Sequence, residues 1–398
     1  MPNEALLLQD KSGNTALTLA AIAGDIKAVT ILVNRNPDLV YVRDNDNALP
    51  LVDAARYSNR QIISYLLNVV SNNIKSYPNP FGHKSDGLLL NDAIGAKYFD
   101  IAVELVEKYP HLATLKVEGY LSPLEAIARI PSAFRRGSKL KYWESLVYDS
   151  IPLSLLECHP NKNEGDVENA TRNSDQVLTR ANRWNYSRLT SVMWQELQIM
   201  IWKTIVYLAP PIEQIKDKKQ MHNHALQLVK MICKRIETLN TIQDQRTHYG
   251  NAVTRAAMLD NAEVIEEIVE IFPNAIWFFT DNKDRHYMIH LAVINRSENV
   301  FNLAYQMDGN KHRVMNLVDS YKNTILHLVG RLAKPQKLNL VSGAALQMQR
   351  ELQWFKRLLQ CQEVTNRTMD NQFYLKEMHS SSLLSQMQYL FSHLPPPF

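Results

Sequence analysis

Short stretches of small and apolar residues recur along this chain, and after several of them come apolar positions spaced three and four apart. The first stretch reads Thr15-Ala16-Leu17-Thr18-Leu19-Ala20-Ala21. Related ones are Leu49-Pro50-Leu51-Val52-Asp53-Ala54-Ala55, Ser122-Pro123-Leu124-Glu125-Ala126-Ile127-Ala128, Met288-Ile289-His290-Leu291-Ala292 and Thr324-Ile325-Leu326-His327-Leu328-Val329. Ala28, Val29, Leu32 and Val33, and later Val264, Ile265, Ile268 and Val269, share one face of a helix. The pattern predicts helix pairs: a short helix whose small residues admit close neighbours, then an amphipathic one. Gly24 stands where a left-handed cap ends the first helix. Asp44-Asn45-Asp46-Asn47, Asp86-Gly87, Asp281-Asn282-Lys283-Asp284 and Asp319-Ser320 precede their copies and predict turns, since Asp, Asn and Gly bond their own backbone or tolerate positive φ.

One marker per copy sets the phase. Leu17, Leu51, Leu90, Leu124, Val253, Ile289 and Leu326 are spaced by 34, 39, 34, 129, 36 and 37 residues. A period near 33 with a turn and two helices per unit is that of ankyrin repeats. The expected fold is therefore all-α: an ankyrin-repeat α-solenoid of about seven units, two of them degenerate, with a large insertion in the fourth. A second landmark holds the same phase, because Pro37, Pro110 and Pro273 each follow their marker by 20 residues, where proline stops the second helix. The spacing of 39 holds a short insertion around Ser76 to Gly82.

Residues 5–132 are expected to form about four N-terminal units, 133–220 the insertion, 221–357 the C-terminal repeats with a closing helix, and 358–398 a divergent, poorly ordered tail. Within the insertion, Pro160 to Asn182 is polar and predicts a mobile loop. Trp184, Trp194 and Trp202 accompany an amphipathic helix, Leu189 to Leu208, stopped by Pro210-Pro211. His224 to Ile232 has the pattern of a second helix, so the fourth unit, begun near Ser122 to Ile130, resumes there. Ala344 to Gln360 predicts the closing helix, and Ser381 to His393 a weak helix in the tail.

The segment Asn323-Thr324-Ile325-Leu326-His327-Leu328, followed by Leu338 to Lys356, closely resembles plant ankyrin-repeat proteins of the accelerated-cell-death and increased-tolerance-to-salt type. Gly13 to Leu17, Asn36 to Leu39 and His224 to Ile232 are similar to that family too, and the resemblance covers about residues 5–357. It implies repeats on the cytosolic side of a C-terminal membrane domain named for a Pro-Gly-Gly motif, and roles in defence, cell-death and salt-stress signalling. The chain has no Pro-Gly-Gly, and the pattern ends after Lys356. The expectation is a truncated isoform, partial gene product or shortened paralogue, cytoplasmic and peripheral at the plasma membrane.

Composition narrows the function. A net charge of +4, spread along the chain, gives no footprint for nucleic acid. Cys158, Cys233 and Cys361 form no CxxC pair, which fits a reducing compartment without a metal framework. The N-terminus shows no secretory signal, and Glu196, Gln198 and Lys203 interrupt the best spanning candidate, Leu189 to Ile212. His286 and His290 lie four apart, but no acidic third ligand follows at helical spacing; His290 shares the repeat position of His327 and reads as structural, and His286 then sits in the turn outside the helix. Cys158-His159 is adjacent and unsuited to a nucleophile–base pair, and Cys233 reads as a buried small hydrophobe. No P-loop, HExxH or GxSxG motif occurs. The chain is expected to be a non-enzymatic adaptor without cofactor, in plant stress or defence signalling; the alternative is a truncated regulatory member that associates with full-length relatives. Asp46, Asn47, Asp284, Arg285 and His286 at turn tips are the expected partner-binding residues. Arg135, Arg136, Lys139 and Lys141, with Lys216, Lys218 and Lys219, are candidates for weak contact with anionic lipid.

Overall fold

The computed structural model describes residues 3–72, 80–152, 200, 202, 204, 210–307, 311–340 and 342–367. In chain order the helices are α1 (Asn3–Leu6), α2 (Ala16–Ala23), α3 (Ile26–Arg35), α4 (Pro50–Arg56), α5 (Arg60–Asn72), α6 (Gly87–Gly95), α7 (Phe99–Lys108), α8 (Pro123–Ala128) and α9 (Tyr142–Ser150). They continue as α10 (Pro210–Glu237), α11 (Ile242–Leu259), α12 (Ala262–Ile271), α13 (Met288–Ile294), α14 (Glu298–Gln306), α15 (Lys311–Met315), α16 (Ile325–Val329), α17 (Pro335–Leu338) and α18 (Ala344–Arg367).

The seven markers lie on α2, α4, α6, α8, α11, α13 and α16, and all seven are buried. These first helices pack each against the next in that order. Local chemistry sets their starts: Thr15 and Ser122 accept hydrogen bonds from the N–H groups of Thr18 (3.3 Å) and Glu125 (3.2 Å), and Pro50 and Pro123 occupy the first turn. Their ends repeat as well. The residue seven places after the marker is left-handed in five units: Gly24 (φ 79°), Ser58 (57°), Lys97 (63°), Asp260 (64°) and Arg296 (54°). One residue later the chain reaches back to the preceding unit. Asn59 Nδ2 donates to Ala21 O (2.7 Å), Tyr98 Oη to Ser58 O (2.8 Å) and Asn261 Nδ2 to Ala128 O (3.3 Å). Only the first unit has glycine at the left-handed position, so the others carry strain. Lys97→Gly should therefore raise stability by about 1 kcal/mol in urea unfolding.

The prolines at marker plus 20 do more than stop a helix. Each opens a 3-10 turn, Pro37–Tyr41, Pro110–Thr114 or Pro273–Trp277, that buries Leu39, Leu112 or Ala275 beneath the second helix.

The chain divides into two compact units, Met1–Ser138 with His224–Phe398, and Lys139–Asn223. In the first, residues 224–237 bury Ala225, Leu228, Val229, Ile232, Cys233 and Ile236 on one helix face. Gln227 Nε2 lies 3.4 Å from Glu107 Oε1 on α7, and Lys230 Nζ 3.5 Å from Glu267 Oε1 on α12. That places residues 224–237 as the second helix between those of the third and fifth repeats. Burial raises the Cys233 thiol pKa, and the residue acts as a small hydrophobe. At the far end α18 packs on α15 and α16, with Trp354 edge-on to Phe301 at 5.4 Å.

In the second unit, Tyr148, Ile151 and Ile215 form a small core with Leu140, Val147 and Trp202 against it. Pro210 begins α10; proline suits the first turn because its missing N–H needs no partner there. Lys219 is buried, its Nζ donating to Tyr148 O and Ile151 O at 2.7 Å each. It is thus no part of a surface patch. Residues 160–182, Trp184, Trp194, most of Leu189 to Leu208, Cys158-His159 and Ser381 to His393 lie outside the described residues.

Candidate functional site

The turn tips are built by one device. Asp10, Asp44 and Asp319 stand seven residues before their markers, and each Oδ1 accepts from the N–H groups two and four residues ahead. The partners are Ser12 and Asn14 (2.8 and 2.8 Å), Asp46 and Ala48 (3.0 and 2.7 Å), and Tyr321 and Asn323 (2.8 and 2.8 Å). Each loop then turns left-handed four residues before the marker, at Gly13, Asn47 and Lys322, and the sixth unit does so at Arg285. Neighbouring tips are joined through the backbone, Asn45 N to Ser12 O (3.1 Å) and Ser320 N to Asp284 O (3.0 Å). A side chain at Gly13 would put its Cβ 2.5 Å from Asn45 N, which is why the first tip needs glycine. The result is a braced row of turns.

The expected binding residues fall at two places along that row. Asp46 and Asn47 are exposed on the second tip, whose backbone is fixed by Arg43 Nη1 and Ser85 Oγ donating to Asn47 O (2.6 and 2.8 Å). Arg43 also makes a two-pronged pair with Asp86 (2.8 and 2.9 Å), tying this tip to the third repeat. On the sixth tip Arg285 is exposed, stacked over Phe279 at 5.4 Å, and Asp284 is half-buried. His286 does not offer its ring to solvent as expected: the next tip covers it, and Nε2 faces Asp319 Oδ2 across 3.6 Å. His290 is buried too; its Nε2 donates to Leu317 O (3.1 Å) while Nδ1 accepts from Tyr287 N (3.4 Å). Both ring nitrogens are thereby used, and burial lowers its pKa. Among the described residues no three His, Cys, Asp or Glu side chains gather as a metal site.

The basic cluster is divided: Arg135 and Arg136 belong to one compact unit, Lys139 and Lys141 to the other. Arg136 is engaged, its N–H donating to Glu263 Oε1 (2.6 Å) and its Nη1 to Glu266 Oε1 (2.5 Å).

On the first helices Leu19 and, at the end of α4, Tyr57 are about half exposed. Asp53, buried on α4, and Asp92, half-buried on α6, stand two residues after their markers. Burial raises both carboxyl pKa values to about 6; Arg56 opposes the shift at each, and Asp44, Asp46 and Asp92 add to it at Asp53. Because the folded pKa exceeds the unfolded value, folding favours the protonated acid. Each group's contribution is fully present below about pH 4 and is lost as pH rises through about 6. Asp53→Asn, which keeps the shape without the charge, should thus raise stability at pH 7 by about 1–3 kcal/mol and leave it nearly unchanged at pH 4. Chemical denaturation at the two pH values checks this.

Residues 2–76, which hold the first two markers and the zipped tips, match the family model for ankyrin repeats (3 copies). These residues are ankyrin repeats. The match concerns the repeat and does not reach the plant family that Leu338 to Lys356 resembles. No curated protein matches the chain. The ankyrin fold is all-α, and the described residues contain no strand, only an isolated bridge between Phe279 and Tyr287. Ankyrin repeats are a protein–protein interaction module, and among the described residues no helix is long and apolar enough to cross a membrane.

Proposed function

We propose that this chain is a non-enzymatic adaptor that grips a partner protein along its ankyrin tips and first helices. The observation that carries this reading is the braced tip row, which holds Asp46 and Asn47 exposed, together with Leu19 and Tyr57 exposed on the first helices and their ends. Such a surface varies its side chains without altering the stack beneath. The resemblance of Leu338 to Lys356 supports a setting in plant stress or defence signalling, and residues 139–223 are proposed as an insertion carried by the fourth repeat. The same resemblance supports a second reading, a regulatory member that associates with full-length relatives and works at the membrane they occupy. Weak lipid contact would then rest on Lys139 and Lys141, since Arg136 is paired.

Leu19→Lys combined with Tyr57→Lys tests the adaptor reading by affinity capture from plant extract. Both side chains are exposed, so stability should change by no more than about 0.5 kcal/mol, while captured proteins fall away. Identical capture by the variant and the original chain contradicts the proposal.

A further inference from the structure

Two arginines stand on neighbouring tips. Arg246 lies seven residues before the marker Val253, the place of the turn-building aspartate in the first, second and seventh units. Arg285 lies four residues before Ile289, at the left-handed position (φ 46°) that the first tip fills with glycine. The fifth unit has a lengthened first helix where the others have a loop: α11 starts at Ile242 for the marker Val253, whereas α2, α4, α8 and α13 start one residue before theirs. The added turns leave Ile242 77% exposed and carry Arg246 one turn further on. Gly250, another turn on, lets Phe278 lie against the helix, since a Cβ there would be 2.2 Å from the Phe278 ring. The Arg246 guanidinium rests over Phe278 at 5.4 Å and over Phe279 at 5.7 Å, and the Arg285 guanidinium over Phe279 at 5.4 Å. Tyr287 holds Phe279 in turn, edge-on at 5.7 Å and through the bridge between the two. Among the described residues neither guanidinium has a hydrogen-bond partner or a carboxylate within ion-pair distance, although Asp281 and Asp284 share the sixth tip. Arg43, Arg60, Arg129 and Arg255 of the same stack are all paired.

We propose that Arg246 and Arg285 form a clamp for an acidic segment of the partner polypeptide, each guanidinium taking an Asp or Glu carboxylate, with Ile242 against an apolar side chain beside them. The proposal rests on the adaptor reading and adds the partner's chemistry. A surface arginine ordinarily loses side-chain freedom when it binds. Stacking on an aromatic face holds the guanidinium beforehand and leaves its N–H donors free for a carboxylate, so less is lost on docking. Phe279 also gathers two positive charges that no carboxylate of the chain answers. An acidic segment supplies the opposite charge and the acceptors together. Because Arg285 is exposed and Arg246 half-buried, the attraction is screened and weakens as salt is raised.

The test titrates the full chain at pH 7.5 and low salt with a labelled Ser/Gly peptide bearing a central Leu-Glu-Glu, and with its Leu-Gln-Gln counterpart, by fluorescence anisotropy. The Glu peptide should bind about tenfold tighter, the difference that one charge-assisted hydrogen bond supplies. Arg246→Gln and Arg285→Gln should each erase most of that preference while melting with the original chain, since neither side chain is buried. Phe279→Leu keeps both charges and removes the shared ring, and should also reduce the preference. Arg235→Gln, at an exposed arginine near the end of α10, should leave it intact. Equal binding of the two peptides, a preference that survives in the double Gln variant, or binding of a phosphoserine counterpart alone overturns the clamp. If that happens while Leu19→Lys with Tyr57→Lys still loses the natural partner, the clamp fails and the adaptor stands; if capture is also unchanged, both fail.

Discussion

Arg296→Met is expected to lower stability by about 3–5 kcal/mol, the loss that follows when one partner of a buried ion pair is removed. Arg296 is buried at the left-handed end of α13, and its guanidinium meets Glu351 of α18 at 3.1 and 3.2 Å through Nε and at 2.5 Å through Nη2. It also donates to the carbonyls of Val293 (2.8 Å), Val329 (3.2 Å) and Arg331 (2.8 Å). A single side chain thereby joins the sixth repeat, the end of the seventh and the closing helix. Adding Glu351→Gln to Arg296→Met should recover only part of the loss, because the three carbonyls stay unanswered. Urea unfolding measures both variants. A loss below about 1 kcal/mol for Arg296→Met would mean that the clamp does not hold α18 in place.

Leu90→Ala should cost about 2–5 kcal/mol, as large-to-small changes do in well-packed cores. Leu90 is fully buried on α6, between α4 and α8, and a repeat stack has no other core onto which the loss can be spread. Ile31→Ala on α3, where the side chain is 68% exposed, should change stability by no more than about 0.5 kcal/mol. The contrast separates a marker position from an apolar position outside the core, and similar losses for both would break the phase assigned to the units.

Most of the stack was legible because its physics is local and repeated. Markers, prolines and Asp-rich turns announce themselves in single copies, and their common phase places them in the fold. The structure adds what the phase implies for Pro37, Pro110 and Pro273, which begin buried turns besides ending helices. Pairings made across long separations were not legible. Arg296 and Glu351 are 55 residues apart, and neither breaks a pattern in its own stretch. His286 looked exposed because it precedes a helix in a polar turn, yet the neighbouring tip covers it. Lys219 read as one basic residue among several, although its ammonium caps the carbonyls at the end of α9. Asp53 and Asp92 left a signal, a carboxylate in a run of small and apolar residues at the same step after the marker. That signal gains meaning only in the packed stack, where burial raises the pKa of both carboxyls.

The proposed adaptor docks its partner on the tips and first helices of the ankyrin stack. Photo-crosslinking tests that docking, with benzoylphenylalanine placed at Leu19, at Tyr57 or at Ile31 on the second helix. Crosslinked partner is predicted from Leu19 and Tyr57 and not from Ile31. Crosslinks from Ile31 alone would contradict docking on the first helices.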